Sequence, residues 1–123
     1  MIEDLKELHK NAYVPISNFP VSACVETKDG RKFFGVNVED ASTRAGVCAE
    51  RNAIFNMITN GEQSIQKVLC IPPVKGKGAP CGACRELMVQ LMPYSYKNVE
   101  IMLDYEQERV VTLGDLTPEW WIG

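Results

Sequence analysis

Apolar residues recur along the chain with two periods, which separate the predicted helices from the predicted strands. A helix is predicted over residues 2–13, because four apolar side chains follow one another at helical spacing: Ile2, Leu5, Leu8 and Ala12. The next apolar segments flank Asp29 and Gly30, a dipeptide typical of tight hairpin turns. They predict two antiparallel strands.

Two further helices are predicted, and each is bounded by residues that start or stop helices. One covers residues 47–60, and Gly61 follows as a C-terminal stop. The other begins at Pro80, whose fixed φ suits a first helical turn, and Pro93 ends it. Three more apolar segments are predicted to be strands: IQKVLCIPPV, VEIMLD and RVVTL. Strands that alternate with helices predict an α/β fold with one mixed sheet covered by helices.

Length and composition are typical of one globular domain. The chain has 123 residues, 46% of them hydrophobic and 24% charged, so one domain over residues 1–123 is expected. The formal net charge of −3 argues against nucleic acid as a partner, since such proteins usually carry a basic surface. Residues 1–10 are too charged for a signal peptide, and no apolar run approaches the ~18 residues that span a bilayer. We therefore expect a cytoplasmic protein with no membrane partner and a small-molecule substrate.

The cysteines fall into two groups according to their predicted surroundings. Cys24 and Cys70 lie within apolar strands, where a free cysteine packs as a small hydrophobic residue. Cys81 and Cys84 form a CxxC pair at the start of one predicted helix, and Cys48 lies at the start of another. In a cytosolic chain, such a close pair is more typical of metal binding or catalysis than of a disulfide.

Cys48, Cys81 and Cys84 form a zinc site if the two helix starts converge. Three protein ligands leave the fourth position of tetrahedral zinc for water, which is the arrangement of catalytic sites. Helix amino termini also stabilise thiolates. Glu50, two residues after Cys48, can accept a proton from that water, although a glutamate that only complements the helix dipole is the alternative. Arg51 suits a position beside thiolates, and a solvated side chain explains it equally well.

Two other functions use the CxxC pair differently. A thiol–disulfide enzyme needs only Cys81 and Cys84, and leaves Cys48 and Glu50 without a role. A non-catalytic zinc module needs a fourth ligand. His9, the only histidine, lies far from the cysteine segments in the sequence, and a lone histidine on a helix is usually a surface residue.

Four segments in order resemble the zinc-dependent cytidine deaminases, in the small form with three cysteine ligands: AYVPISNFPV, GVNVEDAS, CAERNAI and PCGACRE. The resemblance covers nearly the whole chain. It implies the family's three-layer α/β/α sandwich with a mixed, mostly five-stranded sheet. It also implies one Zn²⁺ per subunit, held by Cys48, Cys81 and Cys84. The implied reaction is the hydrolysis of cytidine or deoxycytidine to the uracil nucleoside and ammonia, in pyrimidine salvage.

The resemblance also implies roles for individual side chains. Glu50 carries a proton from the attacking water to N3 of the cytosine ring and then helps to protonate the departing amine. Ala49 meets the base through its backbone, and Phe19 packs on the base. Asn37 and Glu39 bind the ribose hydroxyls. Without the resemblance, Phe19 is better explained as a core residue, and Asn37 and Glu39 as exposed polar residues at a strand end.

A further implication concerns the assembly. The small cytidine deaminases are homotetramers whose sites borrow residues from neighbouring subunits, and a homotetramer is expected here. Trp121 falls where the family has a C-terminal aromatic residue that reaches a neighbour's site. A buried lid on its own subunit, formed by Trp120 and Trp121, is the alternative.

This sequence departs from the family pattern at five positions: Ile16, Ser22, Cys24, Asp40 and Thr43. We predict that they cluster at the pocket rim and the subunit interface. A modified cytosine nucleoside, such as the substrate of the related blasticidin S deaminase, is therefore an alternative substrate. The intact Asn37 and Glu39 favour an ordinary ribose or deoxyribose. Lys75 and Lys77 are the only candidates near the site for binding a nucleotide's phosphate, and are interpreted as solvated loop charges.

Overall fold

The structure is a computed structural model that describes residues 2–40, 46–72 and 80–121. Thr43, Lys75 and Lys77 lie outside the described residues. Among the described segments, no helix combines the length and the apolar character of a membrane span.

One mixed sheet of five strands lies at the centre of the fold, in the order β2-β1-β3-β4-β5. The strand bounds are Ser22–Thr27 (β1), Lys32–Val36 (β2), Ile65–Ile71 (β3), Glu100–Asp104 (β4) and Arg109–Thr112 (β5). β1 is antiparallel to both β2 and β3, β3 is parallel to β4, and β5 is antiparallel to β4. The prediction of an α/β fold with a mixed five-stranded sheet is confirmed.

The helices lie close to the predicted positions. Their bounds are Ile2–Leu8 (α1), Ala49–Thr59 (α2), Gly82–Leu91 (α3) and Leu113–Leu116 (α4), with single 3₁₀ turns at His9–Asn11 and Tyr96–Asn98. The first helix is shorter than predicted because its last turn tightens into the 3₁₀ form, which is common at helix ends. Gly30 in the hairpin turn and Gly61 after α2 both have a φ near the left-handed region, at 88° and 87°.

Helices cover both faces of the sheet. On one face, Leu5 of α1 packs against three strand residues: Cys24, Leu69 and Ile71. On the other face, residues of α2 and α3 form the larger core with strand side chains: Ile54, Met57, Met88, Val25, Val68 and Ile101. The middle layer is therefore buried on both sides, as in a three-layer sandwich.

Two of the residues that depart from the family pattern lie on the face of the sheet that α1 covers, here called the α1 face. The Ser22 hydroxyl donates a 2.6 Å hydrogen bond to the carbonyl oxygen of Leu5, and Cys24 packs against the Leu5 side chain. Both residues are buried within the subunit. The prediction that Ser22 and Cys24 lie at the pocket rim or the subunit interface is therefore wrong, because strand alternation turns them towards α1.

His9 attaches the end of the first helical segment to the sheet. Its Nε2 atom lies 2.9 Å from the carbonyl oxygen of Ile71, at the end of β3, and the contact is partly buried. The expectation of an ordinary surface histidine is therefore wrong. His9 lies on the α1 face together with Ser22, opposite the face that α2 and α3 cover.

A close approach of α2 to β2 sets the position of the second helix. A Cβ atom added to Gly35 would lie 2.6 Å from the carbonyl oxygen of Ala49 and 2.8 Å from the carbonyl carbon of Asn52. Only glycine fits there without displacement of the helix backbone. The first turn of α2, which carries Glu50, is thus held against the sheet.

Candidate active site

Three cysteine side chains meet where α2 and α3 begin. Cys48 immediately precedes α2, Cys81 immediately precedes α3, and Cys84 lies in the first turn of α3. The Sγ atom of Cys81 lies 3.5 Å from that of Cys48 and 3.3 Å from that of Cys84. All three sulfurs lie within 4.8 Å of one another. Thiolates that bind one tetrahedral zinc at ~2.3 Å are about 3.8 Å apart, so the spacing fits a zinc ion.

The electrostatics of the three thiols also suit a cation. Burial raises the pKa of the Cys48 and Cys84 thiols, and the neighbouring Cys81 adds to this effect. At Cys81, burial acts in the same direction but is outweighed by hydrogen bonds, first from the backbone N–H of Cys84, so its pKa is lowered. Three neighbouring thiols become stable as thiolates together only when a positive charge lies between them, because their negative charges repel one another.

Arg51 lies beside the cluster. Its Nη2 atom is 3.8 Å from the Sγ atom of Cys48 and donates a 3.3 Å hydrogen bond to the carbonyl oxygen of Gly46. This position favours the interpretation as a cation beside thiolates over a solvated side chain. A guanidinium there offsets part of the negative charge that three thiolates concentrate.

Glu50 is a buried carboxylic acid in the first turn of α2, with 5% of its surface exposed. Burial raises its pKa, and hydrogen bonds from its own backbone N–H and from the Cys70 thiol oppose that rise. The charge of Glu50 in turn raises the pKa of Cys84, so the acid and the thiols share one electrostatic environment. A raised pKa suits a group that must accept a proton and return it.

Cys70 is the neighbour of Glu50 that the sequence interpretation missed. It is buried in β3, packs with Ala23 and Ala49, and its thiol hydrogen-bonds to the Glu50 carboxylate. Packing as a small hydrophobic residue is therefore only part of its role. Strand alternation is the signal that could have found it, because Val68, two residues earlier in β3, belongs to the core under α2 and α3.

Asn37 follows β2 and holds the segment that carries Phe19. Its Oδ1 atom accepts a 2.9 Å hydrogen bond from the backbone N–H of Val21, and its Nδ2 atom donates one of 3.0 Å to the carbonyl oxygen of Phe19. Phe19 itself is 42% exposed, so it is not a core residue. The Asn37 amide thus connects the end of β2 to the residue predicted to pack on the base.

Glu39 fixes the same segment a few residues earlier. Its Oε1 atom accepts hydrogen bonds of 3.0 Å from the backbone N–H groups of Ile16 and Ser17. Hydrogen bonds from the Ser17 hydroxyl and from these N–H groups hold the pKa of Glu39 below its usual range. Ile16, one of the departures from the family pattern, is 60% exposed on this segment.

Sequence and structure comparisons place this constellation in a known family. The profile of the cytidine and deoxycytidylate deaminase zinc-binding region matches residues 1–99. The chain belongs to the cytidine deaminase family. The cytidine deaminase of Mycoplasma genitalium is 38% identical over 102 residues, which are 82% of this chain and 75% of that protein. The cytidine deaminase of Halalkalibacterium halodurans is 36% identical over 97 residues, 79% of this chain and 74% of that protein.

Solved cytidine deaminases share the fold. The crystal structure of cytidine deaminase from Burkholderia pseudomallei matches with a TM-score of 0.84 and 37% identity, covering 98% of this chain and 95% of that one. The structure from Mycobacterium leprae matches with a TM-score of 0.82 and 32% identity, covering 95% and 93%. The predicted family and the predicted cytidine-deaminase-like fold are therefore confirmed.

Two remaining residues with predicted family roles are placed as follows. Ala49 is buried at the start of α2, and its contact with the base stays a prediction. Trp121 is 79% exposed, which excludes the alternative that it is a buried lid on its own subunit. Trp120 is partly buried against the main core. Contact between Trp121 and a neighbour's site also stays a prediction.

Proposed function

We propose that this protein hydrolyses the exocyclic amine of free cytosine nucleosides, with cytidine and deoxycytidine as substrates. The prediction of a zinc-dependent cytidine deaminase is confirmed by the family match and by relatives of that name. The roles of individual residues rest mainly on one observation, the buried carboxyl group of Glu50 beside three converging thiols. A redox CxxC protein has no use for either Cys48 or Glu50.

Cys48, Cys81 and Cys84 are the proposed zinc ligands. When bound, zinc supplies a Lewis acid that makes a water molecule nucleophilic near neutral pH. The amino-terminal ends of α2 and α3 stabilise the three thiolates, and Arg51 offsets part of their charge. A structural zinc site fills its fourth position with a protein ligand, whereas the thiol cluster among the described residues contains three cysteines only.

Glu50 moves the protons of the reaction. Its carboxylate accepts a proton from the attacking water as the oxygen bonds to C4 of the ring, and delivers that proton to N3. It then carries the proton of the new C4 hydroxyl group to the amino group. The C4–N bond breaks as the C4–O bond becomes a carbonyl, and ammonia and a uracil ring remain. Burial favours the neutral form of Glu50, which makes the carboxylate a stronger base and eases the acceptance of each proton.

Four residues are proposed to recognise the nucleoside: Phe19, Asn37, Glu39 and Ala49. The half-exposed ring of Phe19 is available for the base. Asn37 and Glu39 hold the 16–21 segment, and an amide and a carboxylate retain further hydrogen-bonding capacity for ribose hydroxyls. The net charge of −3 supports a free nucleoside over a polynucleotide.

We propose a single domain over residues 1–123 that assembles as a homotetramer. The family resemblance implies this assembly, and exposed apolar side chains support it, since large apolar surfaces usually mark interaction sites. Phe55 and Ile58 of α2 are 43% and 36% exposed, and Trp121 is 79% exposed. The cytoplasmic location stays a prediction.

Ammonia release by purified, zinc-loaded protein tests the function. Wild type is expected to turn over cytidine or deoxycytidine, and Glu50→Ala to lose about 10²- to 10⁴-fold in kcat while it retains its zinc. Glu100→Ala, which removes an exposed glutamate of β4, is the matched control and should behave as wild type. Zinc-loaded wild type with no activity on either nucleoside indicates a modified cytosine nucleoside instead. Wild type that binds no zinc contradicts the proposal.

A further inference from the structure

Both tryptophans of the chain bind the same carboxylate oxygen. The indole Nε1 of Trp120 donates a 2.7 Å hydrogen bond to Oε1 of Glu86, and that of Trp121 donates one of 3.0 Å to the same atom. Hydrogen bonds to an ionised carboxylate are stronger than those between neutral groups. The chain has only these two tryptophans, so both of its indole N–H groups donate to the one Glu86 oxygen.

Residues 117–121 form a C-terminal strap that is fastened at both ends. At its start, the Tyr96 hydroxyl donates a 2.9 Å hydrogen bond to the carbonyl oxygen of Thr117. At its end, Trp120 and Trp121 bind Glu86, and the Trp120 ring packs against the main core. The strap therefore runs from the 3₁₀ turn after α3 back to the middle of α3.

Glu86 lies on the opposite side of α3 from the buried zinc ligand. Successive helix residues are turned by about 100°, so Glu86 points about 200° away from Cys84. Cys84 and Met88 face the main core on the sheet side, and both are fully buried. The helix that carries Cys81 and Cys84 is thus held by the sheet on one side and by the strap on the other.

We propose that Glu86 is a positioning residue that clasps the C-terminal strap onto α3 and thereby keeps Cys81 and Cys84 in place against Cys48. A helix that is packed on one side only can rotate or shift on that face. A second attachment on the far side restricts this movement, and the spacing of the three sulfurs depends on it. This inference rests on the proposed zinc site, and it assigns Glu86 no contact with substrate.

The test compares Glu86→Ala with Glu86→Gln, which keeps an amide oxygen as acceptor for both indoles. The first readout is the tryptophan emission spectrum. It reports on the strap directly, because Trp120 and Trp121 are the only tryptophans of the chain. The second is the rate at which zinc passes from the loaded protein to an excess of a coloured chelator. Glu119→Ala removes an exposed carboxylate from the same strap and is the matched control.

We expect Glu86→Ala to change the emission spectrum and to release zinc about tenfold faster than wild type, in line with the loss of hydrogen bonds to a charged acceptor. Glu86→Gln should keep most of both properties, and Glu119→Ala all of them. Three results would overturn this inference without affecting the proposed function. They are an emission spectrum that Glu86→Ala leaves unchanged, a zinc release rate that it leaves unchanged, and a Glu86→Gln variant as impaired as Glu86→Ala. Wild type that takes up no zinc overturns the proposed function and this inference with it.

Discussion

The Nδ2 atom of Asn37 donates a 3.0 Å hydrogen bond to the carbonyl oxygen of Phe19, so the residue proposed to bind ribose also positions the residue proposed to contact the base. Asn37→Asp keeps the size of the side chain but places a carboxylate against that carbonyl. We expect the KM for cytidine to rise about tenfold or more, with a smaller change in kcat, because the cysteines and Glu50 are not touched.

Steady-state kinetics of zinc-loaded protein measure this effect, with Asn56→Asp as the control. Asn56 also donates its side-chain N–H to a backbone carbonyl, that of Phe34, at an exposed position of α2. The control should keep the wild-type KM. A KM that Asn37→Asp leaves unchanged would show that the 16–21 segment does not need this hydrogen bond for substrate binding.

The hydrogen bond between Cys70 and Glu50 leads to a second prediction. Cys70→Ala removes a donor from the buried carboxylate, which then holds its position and its negative charge less well. We expect kcat to fall about tenfold while zinc content stays the same.

Cys24→Ala is the matched control for Cys70→Ala, and kcat is the quantity to compare. Cys24 is also a free buried cysteine of the sheet, but it packs against Leu5 on the α1 face. Its loss should leave kcat at the wild-type value. Equal kcat values for the two variants would contradict a specific effect of Cys70 on Glu50.

The close approach of α2 to Gly35 predicts that a larger residue at this position destabilises the protein. A methyl group there meets backbone atoms of α2, including the carbonyl oxygen of Ala49 at 2.6 Å, so Gly35→Ala must displace the helix. We expect about 1–3 kcal/mol of destabilisation. Thermal unfolding at a fixed protein concentration measures it.

Gly82→Ala provides the comparison for Gly35→Ala. A Cβ atom on Gly82 meets no described heavy atom within 4 Å, and the position lies in the first turn of α3. Alanine should be neutral or slightly stabilising there, since it lowers the entropy of the unfolded chain. If both variants unfold at the wild-type temperature, α2 is less tightly packed on β2 than the structure indicates.

The lowered pKa of Glu39 predicts a pH-dependent contribution to stability. Because the folded-state pKa lies below the unfolded value of about 4.3, the ionised side chain stabilises the fold above that pH. The contribution is lost as the pH falls through the folded-state pKa. We therefore expect wild type to exceed Glu39→Gln in stability at pH 7, by a margin that shrinks at pH 4 and below.

Urea midpoints of the two proteins at both pH values give this difference, and every other titrating group cancels in the comparison. Glu106→Gln changes an exposed carboxylate in the turn between β4 and β5 and serves as control. A margin that stays constant between pH 7 and pH 4 would show that the 16–17 segment does not depend on the charge of Glu39.

Local signals in the sequence were sufficient for most of the fold. Gly30 and Gly61 adopt the positive φ that their turn positions required, and the strands and the two longer helices lie within a few residues of the predicted bounds. Steric and hydrogen-bonding preferences of this kind act between residues close in the chain. The helix starts that carry Cys48, Cys81 and Cys84 could be predicted for the same reason.

Contacts between distant segments could not be predicted from such signals. Ser22 and Cys24 were expected at the rim and lie behind the sheet, because the face of a strand residue depends on which helix covers that side. Cys70 looked like a core cysteine until β3 was placed beside Glu50. No local signal indicates that Glu86 meets Trp120 and Trp121, because these residues lie more than thirty positions away in the chain.

The sequence by itself determined the chemical groups of this protein: three cysteines at two helix starts, a glutamate beside the first, and the family that combines them. Only the tertiary structure decided which side chains surround those groups and hold them in place. Elements of secondary structure follow from local preferences, whereas the partners of a side chain depend on how separate elements pack, which the energy of the whole chain decides.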